Sequence, residues 1–172
     1  KSKLHLTELR QAGDFRRIAD AARDTIYASA LSRSVSADGR EPSMAFVDNI
    51  LLVTYYAHLY RVLAHNYAGD TKKLIKKSLD EETDLLNLVL FLRLRQHFSQ
   101  EDVQLYSFPL PCSSKLSQGY IQQLLSAEDY DAALELVRSG PYGALFRSIQ
   151  PTGLEAYLYT MQYRFNLRQL RA

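Results

Sequence analysis

Disulfide chemistry is the first thing this chain cannot use internally: of its 172 residues a single one, Cys112, is a cysteine. That excludes an internal disulfide framework and makes a reducing cytosolic compartment the expected setting. Cys112 follows Pro111 with no basic group before Lys115 to favour a thiolate, so nucleophilic thiol chemistry is not expected either. No apolar run approaches the roughly 20 residues of a membrane-spanning helix, and no charged-then-apolar leader opens the sequence. The expectation is a chain that neither crosses a membrane nor carries a secretion signal. An excess of one charge is missing too: 21 basic side chains face 19 acidic ones, and a net charge of +2 does not point to nucleic acid. No G-x-x-x-x-G-K-[ST] phosphate loop, nucleophile elbow or triad is present. His5, His58, His65 and His97 are scattered, none with a Cys or second His at metal-ligand spacing, so neither metal nor cofactor is expected.

What is present is an ordinary globular composition, 47% hydrophobic and 23% charged, long enough to bury a core without staples. Apolar residues recur at helical spacing nearly throughout, with no convincing period of two, so the fold class is all-α. Val47, Leu51, Tyr55, Leu59 and Val62 mark one long helix from Met44 to Tyr67, opened by Pro42 and Ser43 and followed by Gly69. Asp70 and Thr71 then start a helix whose apolar face holds Leu74, Ile75, Ser78 and Leu79. Its other face is basic, with Lys72, Lys73, Lys76 and Lys77. Ser99 with Asp102, and Thr152 with Glu155, read as helix-starting capping boxes. Pro109 and Pro111 mark a loop, and two short helices broken near Ser126 end at Gly140 and Pro141.

The chain also repeats itself. The stretch from Leu6 to Leu31 lies over Ile121 to Phe146 without a gap, about 115 residues apart, far beyond a typical solenoid period. Leu9 meets Leu124, Ala12 meets Ala127, Asp14 meets Asp129, Arg23 meets Arg138 and Tyr27 meets Tyr142. Glu155 and the helical pattern after it echo Asp48 and its helix. The expected organisation is therefore a helical bundle built from a repeated multi-helix unit: 1–43 the tail of one unit, 44–150 a complete unit, and 151–172 the start of the next. On this reading, with Lys1 in the middle of a helical pattern, the chain is part of something longer.

One stretch, EETDLLNLVLFLRLRQ from Glu81 to Gln96, sets polar groups at the head of an apolar run. Asp84 and Asn87 share a helix face, followed on it by Leu88, Phe91 and Arg95, while leucines and Val89 fill the remaining circumference. A helix apolar all round is normally buried, so the polar pair is expected to be buried with it. Arg95 is aligned with Asp84 but a rise of roughly 16 Å separates them, and the same holds for Glu82 and Arg93. Each charge is expected to pair on another helix and fix its height, since removing one partner of a buried ion pair costs roughly 3 to 5 kcal/mol. Acid–base catalysis by Glu82 and Asp84 is disfavoured, because positions two apart on a helix point in different directions.

The pattern E-x-D-x-x-N with an arginine nine places after the aspartate is met by Glu82, Asp84, Asn87 and Arg93. Ahead of it stand Asp48, Asn49, Tyr55 and Tyr56 on a long helix; after it come a loop, the pair of helices with AEDYDAALELV, and SGPYGALF. In this order the motifs resemble the C-type subunit family of V-type (vacuolar and archaeal-type) ATP synthases, whose eukaryotic counterpart is the d-type subunit, and the chain would correspond to about half of a full member. Two departures stand out: Gly140 replaces a threonine that the family often carries before its Pro-Tyr pair, and SFPLP replaces a glycine pair in the loop. The resemblance implies a funnel-shaped, all-helical, non-enzymatic protein of three similar units, without a cofactor, on the cytoplasmic face of the membrane. It would be seated on the proteolipid ring as the socket for the central shaft, carrying torque in a rotary ATPase that couples ATP to ion transport.

Other readings remain at this level. The lysine face is either a solvated surface or a docking patch for acidic groups on the shaft, the ring or lipid headgroups. Nucleic acid is not expected there, since no aromatic or arginine is interleaved to stack bases. Arg164, Arg168 and Arg171 form a second basic cluster. A generic helical-repeat interaction scaffold is the alternative function; it would stack its units in a line along a concave groove. An enzyme would instead converge titratable residues on a deep pocket.

Overall fold

The computed structural model of the chain describes residues 3–36, 40–97, 109–110 and 114–146. Among these it is all-helical, with eight helices and no strand beyond an isolated bridge between Lys3 and Asp24. The capping boxes at Ser99 and Thr152, the arginines after residue 163, Cys112 and the echo of the long helix at Glu155 lie outside the described residues. Two compact units divide the chain, Lys1–Val62 and Leu63–Ala172. That division falls inside the long helix that the sequence reading placed wholly within a unit starting at residue 44.

The first unit holds α1 (Leu6–Gln11), α2 (Phe15–Ala21), α3 (Ala28–Ser34) and most of α4 (Met44–Asn66). Asp14 caps α2, its carboxylate accepting from the Arg17 amide at 2.8 Å. The Glu41 carboxylate takes the Phe15 amide as well, at 3.1 and 3.2 Å, so the first donors of this short helix are satisfied by side chains. Its buried cluster is small: Phe15, Ala19, Ala22 and Leu31, with Tyr27, Val35, Val47 and Leu51 packed against it. Ser43 opens α4 as the sequence indicates, its hydroxyl accepting from the Phe46 amide at 3.2 Å.

The second unit is built around α5, Gly69–His97, 29 residues long. The lysine-faced segment and the E-x-D-x-x-N segment are thus one continuous helix. Gly69, at φ +60°, turns the chain out of α4 in a conformation that costs glycine little. Behind α5 come α6 (Gln118–Leu125), capped by Ser117, α7 (Tyr130–Ser139), capped by Asp129, and the short α8 (Gly143–Phe146). Leu85, Leu88, Val89, Phe91, Leu92 and Leu94 of α5 join Ile121, Leu124, Leu134, Val137, Tyr142 and Phe146 in one buried cluster. The all-round apolar segment of α5 from Leu85 to Leu94 therefore has its expected outcome, burial, while the lysine-bearing first turns stay at the surface.

Candidate functional site

Asp84 has no solvent exposure and Asn87 has 1%. They lie on α5 three residues apart, on a face turned towards the loop that leads into α6. The Asp84 carboxylate accepts the Ser114 amide at 3.1 and 3.3 Å and the Lys115 amide at 2.8 Å. It also accepts the Tyr142 hydroxyl at 2.7 Å. Asn87 takes the Leu110 amide on its Oδ1 at 2.7 Å. Two polar side chains on one helix thus hold backbone amides at Leu110, Ser114 and Lys115, and Tyr142 joins the corner between α7 and α8 to the Asp84 carboxylate. The Lys115 ammonium sits 4.9 Å from the centre of the Tyr142 ring, a cation over the ring face, and 3.7 Å from a Glu81 oxygen. Burial, reinforced by the hydrogen bond to Asp84, pushes the Tyr142 phenol far above its ordinary range, so it stays a donor at any physiological pH.

This arrangement corrects the expectation that an arginine on another helix pairs with Asp84: among the described residues its donors are two backbone amides and a phenol. Backbone donors carry no side-chain signature, so the pattern of charged residues could not reveal them. Arg95, buried on the same helix, donates instead to the Leu125 carbonyl at the end of α6, where a cation complements the helix dipole. Desolvation lowers its pKa from the usual arginine value. Glu82 and Arg93 are half-buried on α5, Asp48 is exposed on α4, and Tyr27 is half-buried in the first unit.

The lysine face is largely engaged within the chain. Lys72 donates to the Ala64 carbonyl at 3.1 Å, Lys73 pairs with Asp70 at 3.0 Å and Lys76 with Asp80 at 2.6 Å. Lys77 is exposed.

Sequence reasoning missed a second arrangement, around Gly140. The Tyr120 hydroxyl donates to the Leu136 carbonyl at 2.8 Å. A Cβ at Gly140 would stand 2.1 Å from that hydroxyl, and one at Gly143 would stand 1.9 Å from the Arg138 carbonyl oxygen. At the matching place in the first unit, Thr25 bonds the Ala22 carbonyl at 2.7 Å and accepts the Tyr27 amide at 3.1 Å. There the residue matching Tyr120 is His5, which reaches Asp24 at 2.7 Å. Glycine at 140 in place of threonine is thus coupled to tyrosine at 120, whose hydroxyl fills the space.

Among the described residues no group of three or more His, Cys, Asp or Glu is placed to hold a metal ion. The cavity beside Asp14, Phe15, Arg40 and Glu41 has its Glu41 carboxylate already committed to the Phe15 amide. No described helix is long and apolar enough to cross a membrane.

Fold and site define a class first: an all-α protein whose buried polar groups fasten helix to loop. The chain belongs to the ATP synthase (C/AC39) subunit family, whose model matches residues 1–172, the whole of it. Membership makes it a subunit of a V/A-type ATP synthase, a rotary ion-transporting machine. No curated protein and no solved structure matches it.

Proposed function

We propose that this subunit is the non-catalytic socket of the central stalk, on the cytoplasmic face, joining the rotating shaft to the membrane proteolipid ring and transmitting torque between them. The observation that carries the reading is the use made of Asp84, a fully buried carboxylate whose oxygens are taken up by a loop and a helix corner within its own unit. A torque-bearing adaptor needs helices and loops locked at fixed heights, and polar groups satisfied in this way give a unit that resists shear. Family membership over the whole chain supplies the machine in which such a part works. The repeated unit, with 44–150 complete and pieces of its neighbours on either side, belongs to the same proposal, because units repeated around an axis can surround a shaft in a funnel.

The exposed Lys73 and Lys77, with Lys72 and Lys76 beside them, are the candidate contact with acidic groups on the shaft or the ring. Titration calorimetry of the chain, and of its full-length parent, against purified shaft subunits tests the role. Micromolar or tighter binding that weakens with salt is expected, since exposed charges are screened within about 10 Å at 0.1 M. No heat from either form removes the stalk role and leaves the helical-repeat scaffold.

A further inference from the structure

Between Leu63 and Asp80 every residue is described and none is buried. The stretch takes in the end of α4, the turn at Gly69 and about three turns of α5, roughly 16 Å of helix at about 1.5 Å per residue. The Lys72 ammonium donates to the Ala64 carbonyl at 3.1 Å and ties the two arms together. The result is a helical tip that stands clear of its unit's buried cluster, whose α5 members begin only at Leu85.

Two kinds of side chain gather on this tip. Among the described residues of the second unit, both exposed large apolar ones are here, Tyr67 at 45% and Leu74 at 50% exposure. From Tyr67 to Leu79 the chain carries four lysines against a single acidic residue, Asp70, which is paired with Lys73 at 3.0 Å. At about 100° per residue the four lysines spread over about 140° of the α5 circumference. Leu74 shares a face with Lys77 three residues on. A flat protein surface meets only part of so wide an arc, whereas an anionic headgroup layer surrounding the tip meets all of it. Tyrosine and leucine beside lysines suit a bilayer interface, with the apolar groups at the acyl boundary and the ammonium groups reaching back to phosphates on long stems.

We propose that the tip between α4 and α5 binds the anionic headgroup surface of a lipid bilayer, with Lys73 and Lys77 on phosphates and Tyr67 and Leu74 at the interface. This rests on the proposed function only in that the stalk role sets the subunit against a membrane, and it gives the lysines a lipid partner there. The pair of Lys73 with Asp70, exposed on both sides, contributes little and exchanges readily for a phosphate. Each lysine held near an anionic leaflet strengthens binding about fivefold, and salt weakens that attraction.

The test is co-sedimentation of the chain with vesicles of phosphatidylcholine alone and of phosphatidylcholine mixed with phosphatidylglycerol, at low and high salt. Binding to the mixed vesicles only, weakened by salt, is expected. Lys73→Glu together with Lys77→Glu, both exposed and therefore compatible with the fold, should weaken it roughly 20-fold or more. Arg16→Glu with Arg17→Glu makes the same change of net charge on exposed positions of the first unit and should leave binding nearly unchanged. Tyr67→Ser with Leu74→Ser should remove the binding that survives at high salt, where the charges are screened. Equal sedimentation with both kinds of vesicle overturns the proposal, and so does an equal loss in the arginine variant, which would reduce the effect to bulk charge. A lysine variant that sediments normally but gives no heat with shaft subunits also overturns it, since the lysines would then belong to a protein partner. Shaft calorimetry contains no lipid, so the stalk role and the lipid contact fail separately.

Discussion

Asp84→Ala leaves the Ser114 and Lys115 amides and the Tyr142 hydroxyl without their acceptor, and a buried donor so stranded costs about 1 to 3 kcal/mol. A total loss of about 3 kcal/mol or more is expected in urea titration. Asp84→Asn keeps one oxygen where Lys115 and Tyr142 donate and so costs less, about 1 to 2 kcal/mol. Lys73→Ala, which removes a pair exposed on both sides, should change stability by less than about 0.5 kcal/mol. Equal, small effects for Asp84→Ala and Lys73→Ala would refute the buried fastening. Tyr142 adds a pH signature. Its folded pKa is raised, so above the ordinary value of 10.0 the unfolded chain releases a proton that the folded chain retains. The contribution of Tyr142 to stability is therefore constant below pH 10.0 and falls as pH rises beyond it. Tyr142→Phe should flatten this alkaline slope while lowering stability at neutral pH by about 1.5 to 3 kcal/mol, the range for a hydrogen bond to a charged group. Burial of Asp84 and Asn87 was legible in the sequence because leucines surround them; their partners were not, because main-chain amides are the same at every residue.

Among elements, boundaries were readable where a residue has a distinctive local role and lost where it has none. Ser43 announced a helix start that the structure places there, whereas Asp14 and Asp129, matched in the sequence only as repeat positions, prove to be N-caps of α2 and α7. The charge pattern changes between the lysine face and the E-x-D-x-x-N segment, yet no stop residue intervenes and α5 runs on. Gly140 was read as a stop signal; its closeness to Tyr120 depends on a tertiary approach across α6 and α7 that spacing cannot show. That approach predicts an ordering. Gly143→Ala drives a Cβ into backbone at Arg138 and should cost about 2 to 3 kcal/mol, whereas Gly140→Ala meets the tip of a side chain and should be partly relieved by Tyr120→Phe. A double-mutant cycle reads this directly; additive losses would exclude the coupling. At the other end, α1 is tied to the α2 terminus by Arg23 with Glu8 and by His5 with Asp24. The Arg23 hydrogen bond lowers Glu8 from its ordinary 4.5, and the His5 hydrogen bond lowers Asp24 from 3.8. As pH falls through and below those values the unfolded chain takes up protons first, so this contribution is lost on acidification. Amide exchange in α1 should accelerate there, and Arg23→Met should remove the part due to Glu8.

The molecule as a whole divides its apolar content unequally. Among the described residues the first unit buries a cluster of four, two of them alanines, whereas the second buries fifteen, rich in leucine and fastened by Asp84 and Asn87. Since burial of apolar area is the main favourable contribution, at about 25 cal/mol per Å², the first unit should open at lower free energy than the second. Amide exchange at increasing urea is expected to lose protection in α2 and α3 before α5 and α7. Asp84→Ala should then bring α5 and α7 down towards the first unit while leaving α2 and α3 nearly unchanged. Simultaneous loss across all helices would mean that the two units unfold as one, and that the fastening at Asp84 stabilises the whole chain rather than its own unit.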